Sequence, residues 1–103
     1  MSKNIYIKLF LNSSPFKVII FFPNKQRNVL VNNESATSLL LEAFDFIQKS
    51  KLDFPIVIFS AEVILTNILN EFRDTLPKDN KWFPVCQYIK NNNLNVQAYT
   101  ISE

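Results

Sequence analysis

Histidine is missing from this 103-residue chain, and with it the commonest general base and the commonest metal ligand. A Ser-His-Asp triad, a Cys-His pair, a zinc site with its usual ligands and a histidine-held haem are thereby excluded. The one cysteine, Cys86, can form neither an internal disulfide nor a thiolate cluster. That usage agrees with a reducing compartment, so the expected location is cytoplasmic. Cys86 lies among apolar neighbours with no histidine to activate it, and it reads as a small buried residue. Glycine is absent too, which removes the phosphate-cradling loops that depend on close backbone approach. Left-handed backbone positions are then expected to fall to asparagine, of which there are thirteen.

Charge offers a different kind of chemistry. Lys3, Lys8, Lys17, Lys25 and Arg27 all precede the first acidic residue, Glu34, while the remainder carries six basic and nine acidic residues. Lys8, Lys17, Lys25 and Arg27 are therefore candidate phosphate contacts for a nucleic acid. The competing reading is that lysines on edge strands simply block strand addition. Trp82, Phe83 and Tyr99 have rings that bases stack on, although aromatics beside helix ends more often anchor a core or an interface.

The elements that must position these groups follow from periodicity. Ile5, Ile7, Leu9 and Leu11 alternate as a strand, Asn12-Ser13-Ser14-Pro15 turns, and Phe16 to Phe22 is a second strand. Pro23-Asn24-Lys25-Gln26 turns again before a short third strand at Asn28 to Val31. Apolar positions at Ala36, Leu39, Leu40, Ala43, Phe44 and Ile47 predict an amphipathic helix with an Asn cap from Asn32-Asn33, running to about Ser50. Ile56-Val57-Ile58-Phe59 lacks alternation and reads as a central strand buried on both faces. Ser60 is expected to cap a second helix with Ala61, Ile64, Leu65, Ile68, Leu69 and Phe72 inward. A short helix from Trp82 to Asn91 and a strand from Leu94 to Ile101 complete the chain. The order βββ-α-β-α-α-β predicts one α/β domain over residues 1–103 with a mixed five-stranded sheet.

That order resembles the ribonuclease H-like fold, over nearly the whole chain. The resemblance implies two divalent metals held by a strand-one aspartate, a helix-one glutamate and an aspartate just after strand four. In Leu11-Asn12-Ser13-Ser14, Asn12 stands where the first aspartate would be, whereas Asn33-Glu34-Ser35 keeps a glutamate. In Phe59-Ser60-Ala61-Glu62, Ala61 stands where the second aspartate would be, and the fourth carboxylate would follow strand five, near Glu103. Asn12, Glu34, Ala61 and Glu62 thus outline a degenerate cleft with no assigned catalytic residue, and no cofactor is expected. Mg²⁺ enters only if Glu62 replaces Ala61 by a one-residue shift and holds an ion with Glu34. The alternative role for Glu34 is a favourable charge at a helix N-terminus, stabilising by about 0.3 to 1 kcal/mol.

The resemblance also implies a helix after strand five that covers the second sheet face, and this sequence has none. Strand two is apolar on both parities, with Phe16, Val18, Ile20 and Phe22 opposed to Ile19 and Phe21. Leaving such side chains wet forgoes about 1.5 to 3 kcal/mol each, so an interface is expected, with Phe16, Val18, Ile20 and Phe22 as its candidates. The expected function is a non-catalytic interaction module acting as a homodimer or with a partner protein. The alternatives are nucleic-acid binding by the basic meander and a divergent metal-dependent nuclease. No apolar run approaches the roughly 18 to 20 residues needed to span a bilayer, and no membrane role is expected. Abundant Asn, Lys, Ile and Phe suggest an AT-rich coding sequence, as in a phage, a mobile element or a low-GC microbe.

Overall fold

Alternation along the first strand sets the two faces of the sheet. In the computed structural model, which describes residues 3–32 and 34–102, β1 (Ile5–Phe10) buries Ile5, Ile7 and Leu9 and turns Tyr6, Lys8 and Phe10 to the other side. β2 (Phe16–Phe21) pairs antiparallel with β1, Ile7 opposite Ile20 and Leu9 opposite Val18. β3 (Arg27–Asn32) pairs antiparallel with β2. β4 (Ile56–Ser60) lies parallel to β1, and β5 (Val96–Thr100) lies parallel to β4. The spatial order β3-β2-β1-β4-β5 makes the mixed α/β sheet that the periodicity predicts.

The helices supply the lid for one face. α1 (Ala36–Lys49) buries Leu39, Leu40, Ala43, Phe44 and Ile47. Its N-cap is Ser35, whose hydroxyl accepts from the Ser38 N–H at 3.1 Å, rather than an asparagine. Asn32 works one step earlier: its Oδ1 accepts from the Glu34 and Ser35 N–H groups at 2.8 and 2.9 Å. Asn33, the other expected cap, and Glu103 lie outside the described residues, as do Met1 and Ser2. α2 (Val63–Asn67) runs on into a π-helical turn, Ile68–Phe72, and α3 (Phe83–Asn91) stacks Tyr88 on Phe44 with ring centroids 5.9 Å apart. No helix among the described residues is long and apolar enough to cross a membrane.

Two expectations about packing need correction. Ile64 and Phe72, expected inward, are 69% and 47% exposed, whereas Leu65, Ile68 and Leu69 are buried. α2 starts at Val63 rather than at Ala61, and the wider π turn rotates Phe72 off the stripe that a continuous α-helix would give it. The second correction concerns β2. Val18, Ile20 and Phe22 lie in the core, and half-buried Phe16 packs against it, so these are not surface residues. The opposite parity, Ile19 and Phe21 with Lys17, faces outward. An all-apolar strand carries no local signal of which side a helix will cover.

Left-handed backbone occurs at Lys25, Lys51 and Asn93, with φ of 71°, 60° and 52°. Asparagine therefore takes only one of these positions. Asn93 ends α3 in a Schellman arrangement, with the Leu94 N–H donating to the Ile89 carbonyl at 3.0 Å. Lys51 ends α1, its N–H donating to the Gln48 carbonyl at 3.1 Å.

Candidate functional site

β1, β3 and β4 all end at the same edge of the sheet, so the turn after β1, the entry to α1 and the entry to α2 share that edge. Asn12 lies exposed in the turn after β1. Glu34 is exposed one residue before the N-cap of α1, outside the first helical turn. Half-buried Ala61 offers only a methyl group. Glu62 is the N-cap residue of α2 by position, but its side chain makes no capping bond. Its backbone does the structural work: its N–H donates to Ser60 Oγ at 3.0 Å, and its carbonyl accepts from the Thr66 N–H and hydroxyl at 3.1 and 3.2 Å. Ser60 therefore closes a turn ahead of α2 and does not cap the helix itself.

Divalent ions of the Mg²⁺ type require several convergent anionic oxygens. This edge offers one amide, one methyl and two glutamates, and among the described residues no three His, Cys, Asp or Glu side chains group to hold a metal. The described side chains do not fit a pair of catalytic ions.

The uncovered sheet face is built quite differently. Tyr6, Phe59 and Tyr99, from β1, β4 and β5, form a slanting row with successive ring centroids 6.0 Å apart and interplanar angles of 17° and 28°. Tyr6 is 39% and Tyr99 51% exposed, and the tyrosine hydroxyls are held locally. Tyr6 Oη accepts from Asn4 Nδ2 at 3.3 Å, and Tyr99 Oη donates to Gln97 Oε1 at 3.4 Å. Beside this row, Lys8 and Lys17 bring their ammonium groups to 5.3 and 4.7 Å from the Phe10 ring centre. Each such contact is worth about 0.5 to 1 kcal/mol at an exposed site. Arg27 opposite Phe21, and Val29 and Val31, 51% and 54% exposed, complete the face on β3.

The strand positions on this face include no acidic residue, and neither Lys8, Lys17 nor Arg27 has a carboxylate partner among the described residues. Lys8 and Lys17 lie on the interior strands β1 and β2, so they guard no edge, and the strand-blocking reading does not account for them. Arg27 is on an edge strand. Lys25 sits in the β2–β3 turn rather than on a strand, with its N–H donating to the Phe22 carbonyl at 3.0 Å.

A solved structure described as LC11-RNase H1 in complex with an RNA/DNA hybrid matches 97% of this chain and 85% of its own, with a TM-score of 0.64 and 15% identity. The fold is ribonuclease H-like. At that identity the likeness speaks for architecture, which here covers the order βββ-α-β-α-α-β and the mixed sheet. No protein-family model matches the chain, and no curated protein does.

Of the aromatics singled out by sequence, Trp82 is buried in the core with Lys81 Nζ 5.3 Å over its ring, while Tyr99 stands on the open face. Tyr6 and Phe10 of β1 were not legible as one group with Phe59, because Phe59 comes from β4, a strand far away in sequence. The signal that finds them is the outward parity of β1 and β4 once β1 is known to bury Ile5, Ile7 and Leu9.

Cys86 is buried, and that burial raises its thiol pKa above the ordinary 9.0, with Arg73 lowering it less strongly and Asp74 raising it. The unfolded chain then releases this proton first. The stability associated with the neutral thiol is complete below about pH 9 and is lost as pH rises toward the folded value. Native protein should react with a thiol reagent far more slowly than urea-unfolded protein at pH 8. Urea midpoints should fall from pH 8 to pH 10 more steeply for the natural chain than for Cys86→Ala.

Asn70, on the π turn, is a residue that periodicity did not single out. Its Nδ2 donates to the Ala98 carbonyl at 2.7 Å and its Oδ1 accepts from the Ala98 N–H at 2.9 Å, so the side chain stands in for a neighbouring strand at the outer edge of β5. Asn70→Ala should cost about 1 to 3 kcal/mol by urea denaturation, two hydrogen bonds at about 0.5 to 1.5 kcal/mol each. It should also raise concentration-dependent association, because it opens an edge strand.

Proposed function

We propose that this chain is a non-catalytic module of ribonuclease H-like fold that binds nucleic acid through its open sheet face. The observation that carries the reading is the pair of ammonium groups converging on Phe10 from two interior strands, on a face whose strand residues include no acid. An uncompensated cationic surface of this kind attracts a polyanion, and each phosphate it neutralises adds salt-sensitive affinity. The solved neighbour is described in complex with an RNA/DNA hybrid, and a nucleic-acid partner is consistent with such a scaffold. The degenerate edge argues for binding without cleavage, since Asn12 and Ala61 supply no anionic oxygen.

The test is binding of DNA and RNA in low salt, repeated at rising salt, together with incubation in Mg²⁺ or Mn²⁺. Salt-sensitive binding with intact oligonucleotide supports the reading. Absence of retention at low salt would end it, and metal-dependent cleavage abolished by Glu34→Gln would replace it with the divergent nuclease built on Glu34 and Glu62.

A second reading, assembly through the same face with a second copy or a partner protein, draws on exposed Val29 and Val31. A two-fold contact would place both copies' Lys8, Lys17 and Arg27 in one interface whose strand residues include no acid to meet them, which costs like-charge repulsion and favours the first reading. Light scattering at high micromolar concentration separates the two. A cytoplasmic location, where nucleic acid is accessible and Cys86 stays reduced, belongs to the same proposal.

A further inference from the structure

We infer that the ligand of the open face is a single strand, its bases lying against the Tyr99–Phe59–Tyr6 row and its phosphates toward Lys8, Lys17 and Arg27. This rests on the reading of that face as a nucleic-acid interface and specifies what it takes. The face is graded by chemistry: the stacked row comes from β5, β4 and β1, while the cations come from β1, β2 and β3, where Phe10 and Phe21 lie among them. Bases and phosphates would therefore be met side by side.

A single strand can present that division, with unstacked bases splayed to one side of its backbone. A duplex keeps its bases stacked inside and shows phosphates outward, so it would engage the cationic half and leave the aromatic half without a partner. Tyr6 and Tyr99 expose ring surface while each stacks on Phe59 with ring centroids 6.0 Å apart, so the row is ordered before any ligand arrives. Such preorganisation lowers the entropic cost of binding. Ring stacking tolerates any base, so the preference is for strandedness over sequence.

Fluorescence anisotropy at low ionic strength tests this with a labelled oligothymidylate of about twelve nucleotides, a length within the span of known single-strand sites. DNA duplex and RNA/DNA hybrid of the same length, and heparin as a polyanion without bases, serve as comparisons. The single strand should bind at least about tenfold tighter than either double-stranded form. Tyr99→Ala and Tyr6→Ala should each weaken single-strand binding about tenfold and leave heparin binding unchanged. Tyr99→Leu, which keeps apolar bulk on the strand, should weaken it similarly and guards against a folding artefact.

Equal or tighter binding of duplex or hybrid, or tyrosine variants with unchanged affinity, would overturn the single-strand inference while the nucleic-acid reading stands. Failure of every nucleic acid to bind in low salt would remove that reading itself. A dimer that Tyr99→Ala dissociates would overturn both.

Discussion

Reversing the charge at Lys8 and Lys17 together is expected to lower the affinity for single-stranded oligonucleotide at low salt by about a hundredfold or more. Each phosphate contact in a partly exposed site lies between about 1 and 4 kcal/mol of Coulomb energy at 4 Å. Lys8→Glu with Lys17→Glu removes two attractions and installs two repulsions. The dependence of log affinity on log salt should also flatten by about 0.7 per lysine, the value for single strands. Both side chains project from the open face, and their native contacts are cation–π contacts with Phe10, so loss of folding stability should stay within about 2 kcal/mol. Circular dichroism and a urea midpoint check that. Lys25→Glu, in the β2–β3 turn beyond the strand positions of the face, is the internal control and should weaken binding less. Affinity unchanged in the double variant would sink the proposed interface.

The largest stability effect is expected at Phe44. Its side chain is fully buried on α1 and stacks on Tyr88 of α3, so Phe44→Ala should cost about 3 to 5 kcal/mol through lost transfer energy and a residual cavity. A domain of this size has about 5 to 15 kcal/mol in total, so this variant should be partly unfolded at moderate urea. Phe72→Ala provides the contrast. Helical periodicity alone places Phe72 on the buried stripe and would make it comparably costly, whereas its 47% exposure beyond the π turn predicts a much smaller loss, within about 1 kcal/mol. Comparable midpoints for the two variants would show that Phe72 packs inside after all.

The order of elements, the mixed sheet and the buried stripe of α1 were all legible in the sequence, because each rests on a local period. Two-residue alternation in β1 and the spacing of Leu39, Leu40, Ala43, Phe44 and Ile47 report burial directly. Residue types alone also settled what chemistry is excluded, since no fold can supply a missing imidazole. The cationic candidates Lys8, Lys17 and Arg27 were legible as charges, but nothing local told interior strands from edge strands. That distinction, set by the order β3-β2-β1-β4-β5, changes what the lysines mean.

Tertiary structure decided the rest. β2 is apolar at both parities, so only the docking of α1 determined that Val18, Ile20 and Phe22 go inside and Ile19 and Phe21 outside. Phe59 sat in a run that reads as buried on both faces, yet it is half-buried between two tyrosines from other strands. The Tyr6–Phe59–Tyr99 row spans 94 positions of sequence and exists only in the register of three parallel strands. Periodicity records how a segment alternates with respect to itself. Which side meets a helix, and which side chains become neighbours across strands, are properties of pairs of elements and are set when those elements pack.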